Sequence, residues 1–277
     1  MFKILRKELL GPEMFLMEVF APNVTRRVEP GQFIIVRVSE TGERIPLSIG
    51  DFDRERQTVV IVFQRVGKTS YLLSTLNEGD SILDVVGPLG HPTEVDKFGT
   101  VVCVGGGIGI APMYPIAKKL KREGNKVISI IGYRSKEHVF WEERLREASD
   151  ELLLATNDGS YGKKGFVTDV LRELLEGGMK IDRVITIGPP VMMKAVADMT
   201  KPYSIKTIAS LNSIMVCGLG MCGVCRVTVG GKTKFTCADG PDFDAHLVDF
   251  DEFMKRLSMY RDEEKLSFEL WKKEVGV

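Results

Sequence analysis

Four of the chain's five cysteines lie in one stretch, MVCGLGMCGVCRVTVGGKTKFTCADG, at residues 215–240. Cys217, Cys222, Cys225 and Cys237 follow the spacing C-x4-C-x2-C-x11-C. Thiolates are soft anionic donors, and four of them can enclose a small inorganic centre. The order C-x4-C-x2-C…C is that of plant-type [2Fe–2S] ligation. Structural zinc also takes four cysteines, usually as two C-x2-C knuckles, and only Cys222–Cys225 forms one here. Disulfides or free thiols are the remaining alternative. Gly218, Gly220 and Gly223 favour a cluster, because backbone N–H groups approach sulfur only where side chains are absent.

Three further stretches could hold a nucleotide. Gly105-Gly106-Gly107-Ile108-Gly109-Ile110-Ala111-Pro112 follows an apolar run and opens a helix. Glycines there let a phosphate reach backbone N–H groups at the positive end of the helix dipole. It is not the G-x-G-x-x-G fingerprint, since Ile110 fills the third glycine slot. In Arg44-Ile45-Pro46-Leu47-Ser48 the guanidinium can pair with a phosphate, and Ser48 with backbone groups can reach the polar edge of a ring. A surface arginine beside a turn is the bland alternative. Gly67, Thr69 and Ser70 could hold a pyrophosphate at a helix start, or Thr69 or Ser70 could simply cap that helix. Asp158 and Gly188 follow later strands and would line a dinucleotide, unless they only make turns. Cys103 sits among valines as a small hydrophobe. His91, His138 and His246 show no ligand spacing. Asp239, Asp242, Asp244 and Asp249 read as a solvated loop rather than a metal site.

The elements that must position these residues change character along the chain. Residues 1–98 alternate apolar runs with turn signals (FLMEVFAP, PGQFIIVRVS, TVVIVFQRV, GDSILDVVGPLG) and predict a β-barrel with one helix at Ser70–Leu76. Residues 99–210 alternate strand and helix and predict a parallel sheet with crossover helices, whose ligands bind at the carboxyl ends of the strands. Residues 211–250 are the cysteine module, and 251–277 predict one amphipathic terminal helix. The fold class is thus multidomain β plus α/β: an antiparallel β-barrel, a parallel-sheet nucleotide domain, a small cysteine module and a C-terminal helix.

Bulk properties narrow the classes. Lys and Arg equal Asp and Glu at 38 each, so no net positive charge argues for nucleic acid. No eighteen-residue apolar run predicts a membrane span. The basic N-terminus lacks an apolar core and a small-residue cleavage site, and the cysteines are clustered rather than paired as in a secreted scaffold. A cytoplasmic chain is the expectation.

A barrel, a nucleotide domain and an iron–sulfur loop, in that order, resemble the ferredoxin–NADP reductase superfamily. Arg44-x-Pro46-x-Ser48, Gly67-x-Thr69-Ser70, Gly87-Pro88-Leu89-Gly90 and the Gly105–Pro112 run carry the likeness. The cysteine module is similar to that of dihydroorotate dehydrogenase B electron-transfer subunits. Residues 210–215, 220–227 and 239–250 are closer still to the branch of small subunits of NADH-dependent ferredoxin:NADP oxidoreductases, also called sulfide dehydrogenases. The resemblance implies FAD in the barrel, with its ring against Pro46, Leu47 and Ser48 and its pyrophosphate near Arg44, Gly67, Thr69 and Ser70. It implies NAD(H) or NADP(H) over Gly105, Gly107, Gly109, Ile110, Ala111 and Pro112, reaching Asp158 and Gly188. It implies a [2Fe–2S] cluster on Cys217, Cys222, Cys225 and Cys237. Hydride exchange between nicotinamide and flavin needs no acid–base residue. A larger flavin/iron–sulfur subunit is the implied partner, in a heterodimer or higher assembly that reaches ferredoxin indirectly and bifurcates electrons. In that branch the first cluster ligand is often aspartate, where this chain has Cys217. The alternatives are the electron-transfer subunit of a dihydroorotate dehydrogenase, the reductase arm of a hydrogenase complex, or a non-catalytic subunit with a zinc knuckle. Arg134 and Lys136, after the second parallel strand, could meet a 2′-phosphate, whereas the resemblance points to NAD.

Overall fold

The structure is a computed structural model and describes residues 1–275. Its first unit is a seven-stranded antiparallel sheet of β1 (Phe2–Gly11), β2 (Met14–Phe20), β3 (Phe33–Arg37), β4 (Arg44–Asp53), β5 (Thr58–Gln64), β6 (Ser81–Ile82) and β7 (Asp84–Leu89). The spatial order is β6-β1-β2-β5-β4-β3-β7. Its two edge strands, β6 and β7, are separated in sequence only by Leu83, so the sheet curls into a nearly closed barrel. Alternation along the strands puts Ile4, Met17, Ile34, Val36, Ile49, Val59, Ile61 and Phe63 inside, where they form a fully buried core. Helix α1 (Pro22–Thr25) and helix α2 (Lys68–Thr75) lie in its connections. Helix α2 starts two residues before the expected Ser70, with Gly67 as its N-cap.

Strand β4 was not among the runs expected as strands, because proline, serine and glycine interrupt its apolar pattern. Its pairing explains how they are tolerated. It pairs with β3 over Arg44–Ser48 and with β5 only over Ile49–Asp53. Pro46 therefore sits where β4 is an edge and its missing N–H breaks no ladder. Gly50 is skipped in the register between Ile49 and Asp51, a bulge at the change of partner.

The second unit is the expected α/β layer. Strands β8 (Thr100–Gly106), β9 (Lys126–Tyr133), β10 (Glu151–Thr156), the short β11 (Lys163–Lys164), β12 (Arg183–Ile187) and β13 (Lys206–Ser210) run parallel. Helices α3 (Ile110–Arg122), α4 (Glu142–Ala148), α5 (Val167–Glu176) and α6 (Pro190–Thr200) join them. Helix α3 buries Ile110, Met113, Tyr114, Ala117 and Leu120, one face at helical spacing, and ends on Lys119, Lys121 and Arg122 at its negative dipole end. The barrel's Met14, Leu16 and Val62 join the same apolar cluster, so barrel and sheet share a core.

The cysteine module contributes a hairpin, β14 (Arg226–Val229) and β15 (Lys232–Phe235), and the short helix α7 (Thr236–Asp239). The chain then returns as β16 (Asp242–Asp244), antiparallel to β13. The module is thus stitched into the edge of the nucleotide sheet. The single terminal helix expected over 251–277 is two helices, α8 (Phe250–Leu257) and α9 (Arg261–Val275), and its last two residues lie outside the described range. Tyr71 of α2 packs on Phe268 and Trp271 of α9, at centroid distances of 6.0 and 5.4 Å. The four aspartates expected in a solvated loop each hold structure. Asp239 accepts from Phe235 N–H, Asp242 from Thr93, Asp244 from His246 N–H, and Asp249 caps α8 through Glu252 N–H.

Candidate functional site

Gly218, Gly220 and Gly223 all adopt left-handed φ, between 69° and 77°, which bends the loop around its own sulfurs. Leu219 N–H and Cys222 N–H point at Cys217 Sγ (3.4 and 3.5 Å), and Gly220 N–H points at Cys237 Sγ (3.1 Å). Cys225 Sγ and Cys237 Sγ are 3.2 Å apart. The four cysteines thus approach as two pairs, Cys217 with Cys222 and Cys225 with Cys237, as a two-iron rhomb with two thiolates per iron requires. This pairing of the four thiols fits a two-iron cluster, which takes two thiolates on each iron.

The pairs differ in setting. Cys225 and Cys237 are buried, at 1% and 3% exposure, in a cluster with Phe33 and Ile35 of the barrel, whereas Cys222 is exposed. Burial pushes the Cys237 thiol up to about 12, with neighbouring Cys225 adding to it. Burial also opposes ionisation of Cys217, but N–H groups of Leu219, Cys222 and Met221 bring it down to about 6. Val216, Leu219 and Met221 surround the outer pair as exposed apolar side chains. A Cβ at Gly218 would lie 2.8 Å from Ile35 and 2.9 Å from Leu89, so the loop rests directly on the barrel.

On the next strand, Pro46 is the register partner of Ile35, and Ser48 of Phe33. Arg44, Pro46 and Ser48 share the outer face of β4, along its unpaired edge. Leu47, expected beside them, turns the other way and packs with the barrel interior. The Gly67–Ser70 loop adjoins this edge, because Thr69 Oγ1 donates to Glu43 Oε2 at 2.7 Å. Ser70 Oγ accepts from Val66 and Gly67 N–H and donates to Gly67 O. Both hydroxyls are therefore occupied. What the loop offers a phosphate is the N–H groups at the start of α2 and the open space at Gly67, where a Cβ would meet nothing within 4 Å.

The nucleotide loop begins where β4 bulges. A Cβ at Gly50 would lie 3.4 Å from Ala111 and 3.1 Å from the Trp141 ring. The sheet order reverses between β8 and β12, which places the crevice over Gly105–Gly109 and Gly188. The glycines there divide by role. Cβ atoms at Gly105 and Gly106 would strike Met113 and Met192, and one at Gly109 would lie 2.4 Å from Ile187 O, so these three allow close packing. Gly107, with φ of 54° and nothing within 4 Å, is the one open to a ligand. Gly188 packs on Gly106. Ile110 and Ala111 are buried at the start of α3, and Pro112 is half-buried in its first turn. Asp158 lies at an exposed turn and accepts from Ser160, which holds its carboxyl below the usual range. Arg134 and Lys136 are exposed, while Tyr133 is buried with its hydroxyl on Phe140 O. Cys103 is fully buried, which pushes its thiol up to about 12.

Residues 212–249 match the iron–sulfur cluster binding domain of dihydroorotate dehydrogenase B, and residues 103–198 match the oxidoreductase NAD-binding domain. A dihydroorotate dehydrogenase B (NAD(+)) electron transfer subunit homolog of Thermotoga maritima is 45% identical over 99% of this chain and 96% of its own. The electron transfer subunit of the Fusobacterium nucleatum enzyme is 36% identical over 87% of this chain and 95% of its own. The chain belongs to the dihydroorotate dehydrogenase B electron-transfer-subunit family. Within the ferredoxin–NADP reductase superfamily, it also superimposes on a solved chain of the NADH-dependent reduced ferredoxin–NADP oxidoreductase, studied for flavin-based electron bifurcation. That match has a TM-score of 0.92 and 44% identity, covering 97% of both chains. Members of this family are subunits of oxidoreductases, so the chain works with a partner. No described helix is long and apolar enough to cross a membrane.

Sequence reasoning missed two walls of the site. Gly50 gave no signal beyond being a glycine inside a strand. Trp141 adopts φ of 57°, which is costly for a bulky residue, and no sequence pattern announces it. Its ring stands against Gly50 and over Tyr114 at 5.5 Å.

Proposed function

We propose that this chain is the pyridine-nucleotide arm of an electron-bifurcating ferredoxin:NAD(P) oxidoreductase. It passes electrons between NAD(P)H, FAD and a [2Fe–2S] cluster, and its partner is a larger flavin/iron–sulfur subunit in the cytoplasm. One observation carries the reading: the three candidate sites are contiguous along β4. The strand's outer face leads from Arg44, beside the start of α2, past Pro46 and Ser48 to Gly50, which touches Ala111 of the nucleotide helix. Its neighbour β3 touches the cysteine loop. When bound, the flavin would exchange a hydride with the nicotinamide and single electrons with the cluster. The chain's own part is positional. The unpaired edge of β4 presents backbone donors and acceptors to a ring, α2 and Arg44 meet phosphates, and the barrel's apolar side chains keep water from the path to Cys225 and Cys237. Exposed Val216, Leu219 and Met221 around Cys222 supply the apolar contact where the partner docks.

The purified chain is expected to hold about two irons and one FAD. Stoichiometric zinc without iron would overturn the cluster. Cys222→Ser should keep NAD(P)H-dependent flavin reduction and lose transfer to the partner; survival of both would take the cluster off the path. Stopped-flow reduction by NADH and by NADPH decides the nucleotide, for which NAD is the family's expectation. Cys217 favours a second reading. Its all-cysteine ligand set is that of the dihydroorotate dehydrogenase relative, and a co-purifying FMN subunit without iron would establish it.

A further inference from the structure

The break between α8 and α9 leaves a cavity behind the cysteine loop. It encloses about 70 Å3, room for several waters or one tetrahedral anion. Met259 and Tyr260 of the break close one side, and buried Phe253 forms its floor. Two arginines line it, Arg226 and Arg256, and no Asp or Glu does. Neither arginine is in an ion pair among the described residues. Each makes a hydrogen bond to a carbonyl of the loop, Arg226 to Gly223 O at 3.2 Å and Arg256 to Val224 O at 3.1 Å. A guanidinium has five N–H donors, so most of them stay uncommitted. Ser213 also borders the cavity, but its hydroxyl oxygen is sealed off from it. The carbonyl end of α8 opposes an anion here, but with only about half a charge against two full ones.

We propose that this cavity is a binding site for a small oxyanion, such as phosphate or a carboxylate, held by Arg226 and Arg256. Gly223 and Val224 are the two residues between Cys222 and Cys225. The anion therefore sits across two guanidinium groups from the loop that carries the redox centre. On the proposed function, adding an electron to that loop adds negative charge and weakens the anion's binding. By reciprocity the anion lowers the loop's reduction potential. A tenfold ratio of affinities corresponds to 59 mV for one electron.

Calorimetric titration of the full chain with sodium phosphate and sodium sulfate tests the site, with sodium chloride as the ionic-strength control. One saturable site is expected, weakened tenfold or more in Arg256→Gln and in Arg226→Gln. Arg226→Gln keeps the test valid if Arg256→Gln fails to fold. Absence of saturable binding overturns the proposal, as does an affinity unchanged in the arginine variants. Repeating the titration on photoreduced protein tests the coupling, and equal affinity in both redox states overturns that part. The calorimetric arm reads the site even if the loop holds no iron, so the two readings fail separately.

Discussion

Gly67→Ala separates a ligand-binding role from a folding role at the start of α2. The native φ and ψ there are −154° and −179°, extended backbone that any residue adopts. A methyl group meets no atom within 4 Å. The protein alone therefore gives no reason for glycine. Alanine should leave the flavin-free protein unchanged or stabilise it by about 0.4–1 kcal/mol through the unfolded chain. If a pyrophosphate fills that space, the methyl displaces it from the N–H groups of α2. Losing one or two charge-assisted hydrogen bonds at about 1.5–3 kcal/mol each weakens FAD at least about tenfold. The assay is FAD titration of deflavinated protein by fluorescence quenching, beside thermal unfolding of the same sample. Normal stability with weak FAD binding is the expected pair. Unchanged FAD affinity would show that the pyrophosphate lies elsewhere, and lost stability without ligand would show that the contact geometry at Gly67 is misread.

Gly109→Ala should behave oppositely. Its Cβ would lie 2.4 Å from Ile187 O, so the loops after β8 and β12 must part by about 1 Å, costing about 1–3 kcal/mol, and both melting temperature and nucleotide affinity should fall. Stability measured without ligand decides it, since an unchanged melting temperature refutes the clash. Glu43 places a carboxylate on Thr69 where a pyrophosphate is expected, so Glu43→Gln should tighten FAD by about two- to fivefold, and weaker binding would contradict that placement. Burial raises the Asp242 carboxyl above its usual value, against opposing hydrogen bonds from Ser210 and Thr93. A raised carboxyl stabilises the fold below its unfolded value near pH 4 and loses that contribution as the pH rises through the folded value. Asp242→Asn should therefore gain melting temperature over the wild type from pH 4 to pH 8; a difference independent of pH would show that the carboxyl is ionised throughout.

Much of the architecture was legible because its signals are periodic. Strand and helix alternate from Thr100 to Ser210 with glycine turns between, and the four cysteines advertise their chemistry by spacing. What was hidden depends on tertiary pairing. Strand β4 carries Pro46 and Gly50, both poor strand residues, yet Pro46 sits where β4 has β3 as its only neighbour and Gly50 at the bulge where β5 joins it. The terminal helix looked continuous because Ser258, Met259 and Tyr260 carry no proline or glycine to stop it. At Gly67–Ser70 the N–H groups were expected to meet a pyrophosphate and a hydroxyl to cap the helix as the alternative; the Ser70 hydroxyl is spent on Val66 and Gly67, which leaves the N–H groups for a ligand.

Leu47 shows why reading a motif as a block misleads. In a strand, adjacent side chains face opposite ways, so Arg44, Pro46 and Ser48 form one surface and Ile45 and Leu47 another. The outer surface spans about 13 Å from Arg44 to Ser48 at about 3.3 Å per residue, and β3 lies about 4.8 Å to one side. On the proposed function, one short strand thus fixes the phosphate end, the ring, the nucleotide junction and the distance to the cysteine loop together. A register slip of one residue would turn Pro46 and Ser48 into the barrel and bring Leu47 out, breaking all four at once. On that function, the inward packing of Ile45, Leu47 and Ile49 holds the electron path as much as the face that touches it.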